Sequence, residues 1–133
     1  KMYDSSKQHI ISSVENICER LNTSYLDILL IHRPDALSDP QEVAEAFNEL
    51  HEKGLVHYFG VSNYSSAQIE LLQKHVKFPL LFNQIQASIV HSGIFDTGIF
   101  MNTISKEIQD RDGSVLDYCR LKDITIHGLK AVL

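Results

Sequence analysis

The run Leu26-Asp-Ile-Leu-Leu-Ile31 is almost unbroken aliphatic sequence, and it stops at a histidine, His32. A short apolar run with turn residues after it reads as a parallel strand covered on both faces. In parallel α/β proteins, functional side chains gather at the carboxyl ends of strands, which is where His32 falls. The same grammar recurs at Val56-His-Tyr-Phe-Gly-Val-Ser-Asn63 and at Leu80-Leu-Phe-Asn-Gln-Ile85. Three apolar strands that end in polar residues restrict this chain to a small set of architectures.

Helical patterns alternate with these strands. Ile10, Ile11, Val14, Ile17, Cys18 and Leu21 share one face of a helix, and Ser5 with Gln8 offers a capping box at its start. Asp39-Pro40-Gln41-Glu42 supplies an N-cap, a proline at the first helical position and an acid in the first turn. Val43, Ala44, Phe47 and Leu50 line the inner face of that helix, with Gly54 as its stop. A strand over 55–61 follows. Ser65 and Gln68 cap a helix carrying Ile69, Leu72 and Val76, and a strand over 80–86 comes next. Residues 88–110 read as a long loop with some helix. Val115 to Leu121 reads as a helix, and Ile124-Thr-Ile126 as a fourth strand. Tyr58-Phe59 is expected to pack between strand and helices.

The order αβαβαβαβ implies a parallel sheet with right-handed crossovers, either open and doubly wound or part of a barrel. No GxGxxG follows a strand and no GxxxxGK[ST] occurs, so the dinucleotide and P-loop fingerprints are absent. A complete (β/α)8 barrel needs roughly 250 residues. At 133 residues, this chain would be about half of one. Lys1 is not an initiator methionine, which fits an excised or processed piece.

Charge narrows the partners. Twelve basic against 17 acidic residues leave −5 with no basic cluster, which argues against nucleic acid or an anionic membrane as partner. No apolar run approaches the roughly 20 residues that span a bilayer, and no signal peptide is visible. Cys18 and Cys119 lack a CxxC spacing, and Cys18, on the apolar face of a helix, reads as a reduced, buried thiol, hence a cytoplasmic protein. The histidines have no metal-ligand spacing, so no metal site is expected.

The candidates for chemistry are few. His32 could donate a hydrogen bond to a carbonyl or act as a general acid; the plainer alternative is a surface or cap histidine. Ser62 and Asn63 could hold an amide-bearing ligand, or simply turn the chain before the Ser65 cap. Asn83 and Gln84 are amides inside an apolar strand and must find partners if buried, whether in a ligand site or in a structural network.

Taken in order, His32-Arg33-Pro34-Asp35, Gly60-Val-Ser-Asn63 and Asn83-Gln84 resemble the aldo-keto reductase family, closest to the bacterial oxidoreductase branch. Leu50-His-Glu-Lys-Gly-Leu-Val56 and Asp112-Gly113 with Leu116-Asp-Tyr-Cys119 extend the similarity to nearly the whole chain. The resemblance implies a partial (β/α)8 TIM barrel in which residues 1–133 run from after the third strand through the seventh. It implies NADP(H) as cofactor and reduction of small aldehydes or ketones to alcohols by hydride transfer. By the same resemblance, His32 orients and polarises the substrate carbonyl, and Ser62, Asn63 and Gln84 hold the nicotinamide carboxamide.

The family's catalytic Asp, Tyr and Lys belong to its first three strands, upstream of Lys1. At the other end, His127-Gly-Leu-Lys-Ala-Val-Leu133 departs from the family pattern and puts Leu129 where an aromatic residue usually stacks on nicotinamide. The expectation is a central fragment, inactive alone and prone to self-association. The alternative is a nucleotide-binding or assembly module on the same fold.

Overall fold

The computed structural model of the chain describes residues 4–35, 38–87, 93–95 and 114–129. Within them run α1 (Lys7–Leu21), β1 (Leu26–Ile31), α2 (Pro40–Glu52), β2 (Val56–Ser62), α3 (Ser66–Gln73), β3 (Phe82–Gln86), α4 (Val115–Leu121) and β4 (Thr125–Leu129). Apart from residues 93–95, which are helical, the long loop expected over 88–110 lies outside the described residues.

The four strands form one parallel sheet in chain order, β1-β2-β3-β4. Parallel neighbours joined through helices are what alternating periodicity requires, because a parallel strand cannot be reached by a tight turn. The register pairs Ile31 with Val61, Ser62 with Gln84, and Gln84 with His127, so all carboxyl ends lie together.

Each helix begins or ends where local chemistry tells it to. Asp39 accepts a hydrogen bond from the Gln41 N–H at 2.9 Å, and Pro40 fills the first helical position of α2. At the far end, Gly54 takes φ +68°, with Gly54 N donating to the His51 carbonyl and Leu55 N to the Leu50 carbonyl. That is a Schellman turn, and its left-handed residue favours glycine. Ser65 and Gln68 complete a reciprocal capping box on α3. The capping box expected from Ser5 and Gln8 does not form. Helix α1 starts instead at Ser6, whose side chain makes no capping bond and whose N–H donates to the Asp4 carboxylate at 2.9 Å.

The core lies between the helices and one face of the sheet. Val14 of α1, Phe47 and Leu50 of α2, Ile69 and Leu72 of α3, and Val115 and Cys119 of α4 are buried together with Phe59 and Val61 of β2. Phe59 anchors this layer, its ring 4.6 Å from Phe47 and 4.9 Å from Phe78. Along each strand alternate side chains leave that layer. The opposite face carries Ile28 and Leu30, then Tyr58, Gly60 and Ser62, then Phe82 and Gln84, and finally His127.

This corrects two expectations. Strand β1 is not covered on both faces, since Ile28 is 44% exposed and Tyr58 on the neighbouring strand 51% exposed. Only Phe59 of the Tyr58-Phe59 pair packs against helices. An aliphatic run shows that a strand is apolar, but not how many layers cover it. Among the described residues, no helix is long and apolar enough to cross a membrane.

Candidate functional site

The site is built where the strands end. His32 follows the last residue of β1, just beyond the Ile31–Val61 pairing, and its side chain is exposed. The chain then turns through Pro34 and Asp35, whose carbonyl accepts both the N–H and the hydroxyl of Ser38, at 3.1 and 2.9 Å. The strand therefore stops at the histidine because the next residues are committed to a turn.

Ser62 closes β2 and Asn63 leaves it with φ 56°, a left-handed conformation that asparagine tolerates better than most residues. Three hydrogen bonds tie this corner to β3, and a fourth braces it internally. The Gln84 carbonyl accepts the Asn63 N–H at 2.8 Å and the Ser62 hydroxyl at 3.0 Å. The Asn63 side-chain NH2 donates to the Ser62 Oγ at 3.3 Å, and its Oδ1 accepts the Gln86 N–H at 3.0 Å. Ser62 is completely buried, whereas Asn63 and Gln84 are half-buried.

The three residues thus form one interlocked unit, and its spare capacity is defined. Ser62 is spent on the lock. Asn63 keeps one N–H and one lone pair, and Gln84 presents an amide with both a donor and an acceptor. A ligand bearing a primary amide, which also needs one donor and one acceptor, matches that set.

Asn83, the neighbour of Gln84, takes no part in this surface. It points into the helical layer, is completely buried, and donates through Nδ2 to the Tyr64 carbonyl at 3.1 Å. Of the Asn83-Gln84 pair, the first is therefore structural and the second belongs to the patch.

His127 is the residue that sequence reasoning passed over. It pairs in register with Gln84, is exposed, and sets its ring edge-on to Phe82 with centroids 5.5 Å apart. Its signal was positional: alternation along β4 puts it on the same side as Gln84, which a search for metal spacing could not detect. The carboxyl-end patch therefore holds His32, Ser62, Asn63, Gln84 and His127.

Comparison with known proteins agrees with this frame. The model of the aldo/keto reductase family matches residues 1–132, so the chain belongs to the aldo/keto reductase family. The oxidoreductase YdhF of Escherichia coli K12 is 48% identical over 96 residues, covering 72% of this chain and 32% of that protein. The uncharacterised oxidoreductase YcsN of Bacillus subtilis 168 is 50% identical over 86 residues, covering 65% of this chain and 29% of that protein. The chain spans about a third of the length of these curated relatives.

Among solved structures, the thermostable aldo-keto reductase Tm1743, crystallised with the inhibitor epalrestat, superposes with a TM-score of 0.70 at 26% identity. The match covers 91% of this chain and 38% of that one. The glycerol dehydrogenase AKR11B4 of Gluconobacter oxydans gives 0.72 at 24% identity, covering 96% and 33%, a likeness of fold. The sheet and its helices are accordingly part of a (β/α)8 barrel.

Proposed function

We propose that this chain supplies part of the cofactor site and one substrate-polarising residue of an NADP(H)-dependent aldo-keto reductase that acts on small aldehydes or ketones. In this reading residues 1–133 run from after the third barrel strand through the seventh. The observation that carries it is the lock of Ser62, Asn63 and Gln84 at the carboxyl ends of β2 and β3. Its remaining donors and acceptors suit a carboxamide, and their rigidity suits a positioning task.

When bound, NADPH supplies the hydride that adds to a carbonyl carbon. The chain's own residues do the rest of what is available here. Asn63 and Gln84 grip the carboxamide so that one ring face is presented, and Ser62 holds Asn63 in place. His32, at the end of the neighbouring strand, donates a hydrogen bond to the carbonyl oxygen and stabilises the negative charge that builds there.

A full proton must still reach that oxygen, and the described tyrosines are not placed to give it. Tyr25 precedes β1, at the end opposite His32, and stacks on His57; Tyr64 is buried, and Tyr118 donates its hydroxyl to Glu70. Tyr58 lies four residues before Ser62, roughly 13 Å down the strand. The 133-residue chain is therefore expected to show no measurable carbonyl reduction, since general acid catalysis is worth about 10²–10⁴-fold. The amide-matched patch favours this reading over a purely assembly-related module.

Two further properties follow. The exposed Ile28 and Tyr58 on the sheet face opposite the helices drive self-association, which light scattering across a concentration series detects; a clean monomer at high concentration would count against it. Both cysteines are buried free thiols, consistent with a reducing, cytoplasmic compartment.

The test of the cofactor reading is NADPH fluorescence titration. Saturable binding is expected, weakened about tenfold by Gln84→Ala, the loss expected when a ligand hydrogen bond is removed. The thermal midpoint should stay where it was. Absence of binding at millimolar NADPH would overturn the assignment.

A further inference from the structure

Asn63 works only if its backbone stays left-handed, and the residue after it is where the chain could relax. The Tyr64 side chain packs in the core, and its carbonyl accepts a hydrogen bond from Asn83 Nδ2 at 3.1 Å, from a position with no exposure. Among the described residues, the one other polar contact of Asn83 at that depth is with the Cys119 thiol. Its Oδ1 is buried without a hydrogen-bond partner, which is costly in an apolar layer. Beside it stands the Cys119 thiol of α4, which burial pushes up and a hydrogen bond from Asn83 draws back down. An aliphatic residue of the same size would remove the orphaned oxygen altogether.

We infer that Asn83 is a positioning residue for the cofactor patch: by clamping Tyr64 from within the helical layer, it fixes the left-handed Asn63 and so aims the Asn63 amide. This rests on the reading that Asn63 and Gln84 hold a carboxamide, and it assigns to Asn83 a role one step behind that contact. The clamp acts on the side of the sheet opposite the ligand. The same two residues, Asn83 and Gln84, then serve the site from both faces of one strand.

The experiment compares Asn83→Leu with the unaltered chain in two readings, amide hydrogen exchange and NADPH titration. Loss of the clamp should lower protection of the Asn63 and Gln86 amides by about tenfold, the population change that one lost hydrogen bond allows. Protection at Phe59 and Val61 should persist, and the NADPH dissociation constant should rise by a similar factor. Val14→Ala, in the core under α1, is the control: it should lower the thermal midpoint while leaving Gln86 protection and NADPH affinity unchanged.

If Asn83→Leu cannot be purified folded, Asn83→Ser, polar but too short to reach the Tyr64 carbonyl, should give the same two changes. Unchanged exchange at Asn63 and Gln86 in the folded variant overturns the clamp. If local exchange rises while the unaltered chain itself binds no NADPH, the clamp stands and the cofactor reading falls. If both variants bind NADPH as the unaltered chain does, the positioning role is wrong even though the cofactor reading survives.

Discussion

Gly60 shows how much a single position can decide. A Cβ added there would lie 2.5 Å from the Phe82 carbonyl oxygen and 2.7 Å from both the Phe82 Cβ and a Leu30 methyl. The close contact is with backbone on one side, so the strands themselves would have to part. Gly60→Ala is expected to destabilise the chain by about 1–3 kcal/mol, the range for overpacking a filled site. A urea titration showing no change in midpoint would contradict it. In the sequence Gly60 was only the first letter of Gly-Val-Ser-Asn, because crowding between strands cannot be seen until the register is known. The polar residues His32, Ser62, Asn63 and Gln84 were easier to find, since a polar group at the end of an apolar strand stands out. Asn83 was harder. Two adjacent amides differ only in which face they point to, and that depends on strand parity that the sequence leaves open by one residue.

The elements themselves were mostly legible where propensity and capping chemistry agree. Asp39-Pro40 and Ser65-x-x-Gln68 start helices as expected, because each satisfies orphan N–H groups locally and depends on nothing distant. Helix α3 leans on its cap more than the others do. It is eight residues long, and an isolated helix of that length is unstable in water. Ser65→Ala should therefore cost about 1 kcal/mol, a loss visible as a lowered thermal midpoint, whereas Ser5→Ala should cost close to nothing because that serine caps no helix. Equal effects from the two would mean that the box contributes nothing. The start of β3 was misplaced for a related reason. Leu80 looks like strand, but its N–H goes to the Gln73 side chain at 2.8 Å, and that helix-borne amide holds it outside the ladder. Side-chain bonds of this long-range kind have no signature in local sequence.

For the molecule as a whole, α3 and α4 are joined by a small cluster with opposite responses to acid and base. The Tyr118 hydroxyl donates to Glu70 at 2.8 Å, and Lys122 reaches the same carboxylate at 2.9 Å. Burial, reinforced by the hydrogen bond to Glu70 and its charge, raises the Tyr118 pKa far above its ordinary 10.0. A raised folded value means that this contribution is complete below pH 10 and is lost as the pH climbs beyond it. Glu70 runs the other way. Bonds from Lys122 and Tyr118 hold it below its usual 4.5, so its contribution is present above that value and fades as the pH falls. Thermal midpoints measured from roughly pH 8 to 11 should drop less steeply for Tyr118→Phe than for the unaltered chain. Identical slopes would show that the phenol carries none of the alkaline limb. The order of the strands has a consequence for how such a chain is made. Because β1, β2, β3 and β4 neighbour one another in the order of translation, each strand after β1 finds a partner already synthesised when it leaves the ribosome. From β2 onward the sheet can be laid down one crossover at a time, each new strand docking on the one before it. Its growing edge is always the strand most recently made.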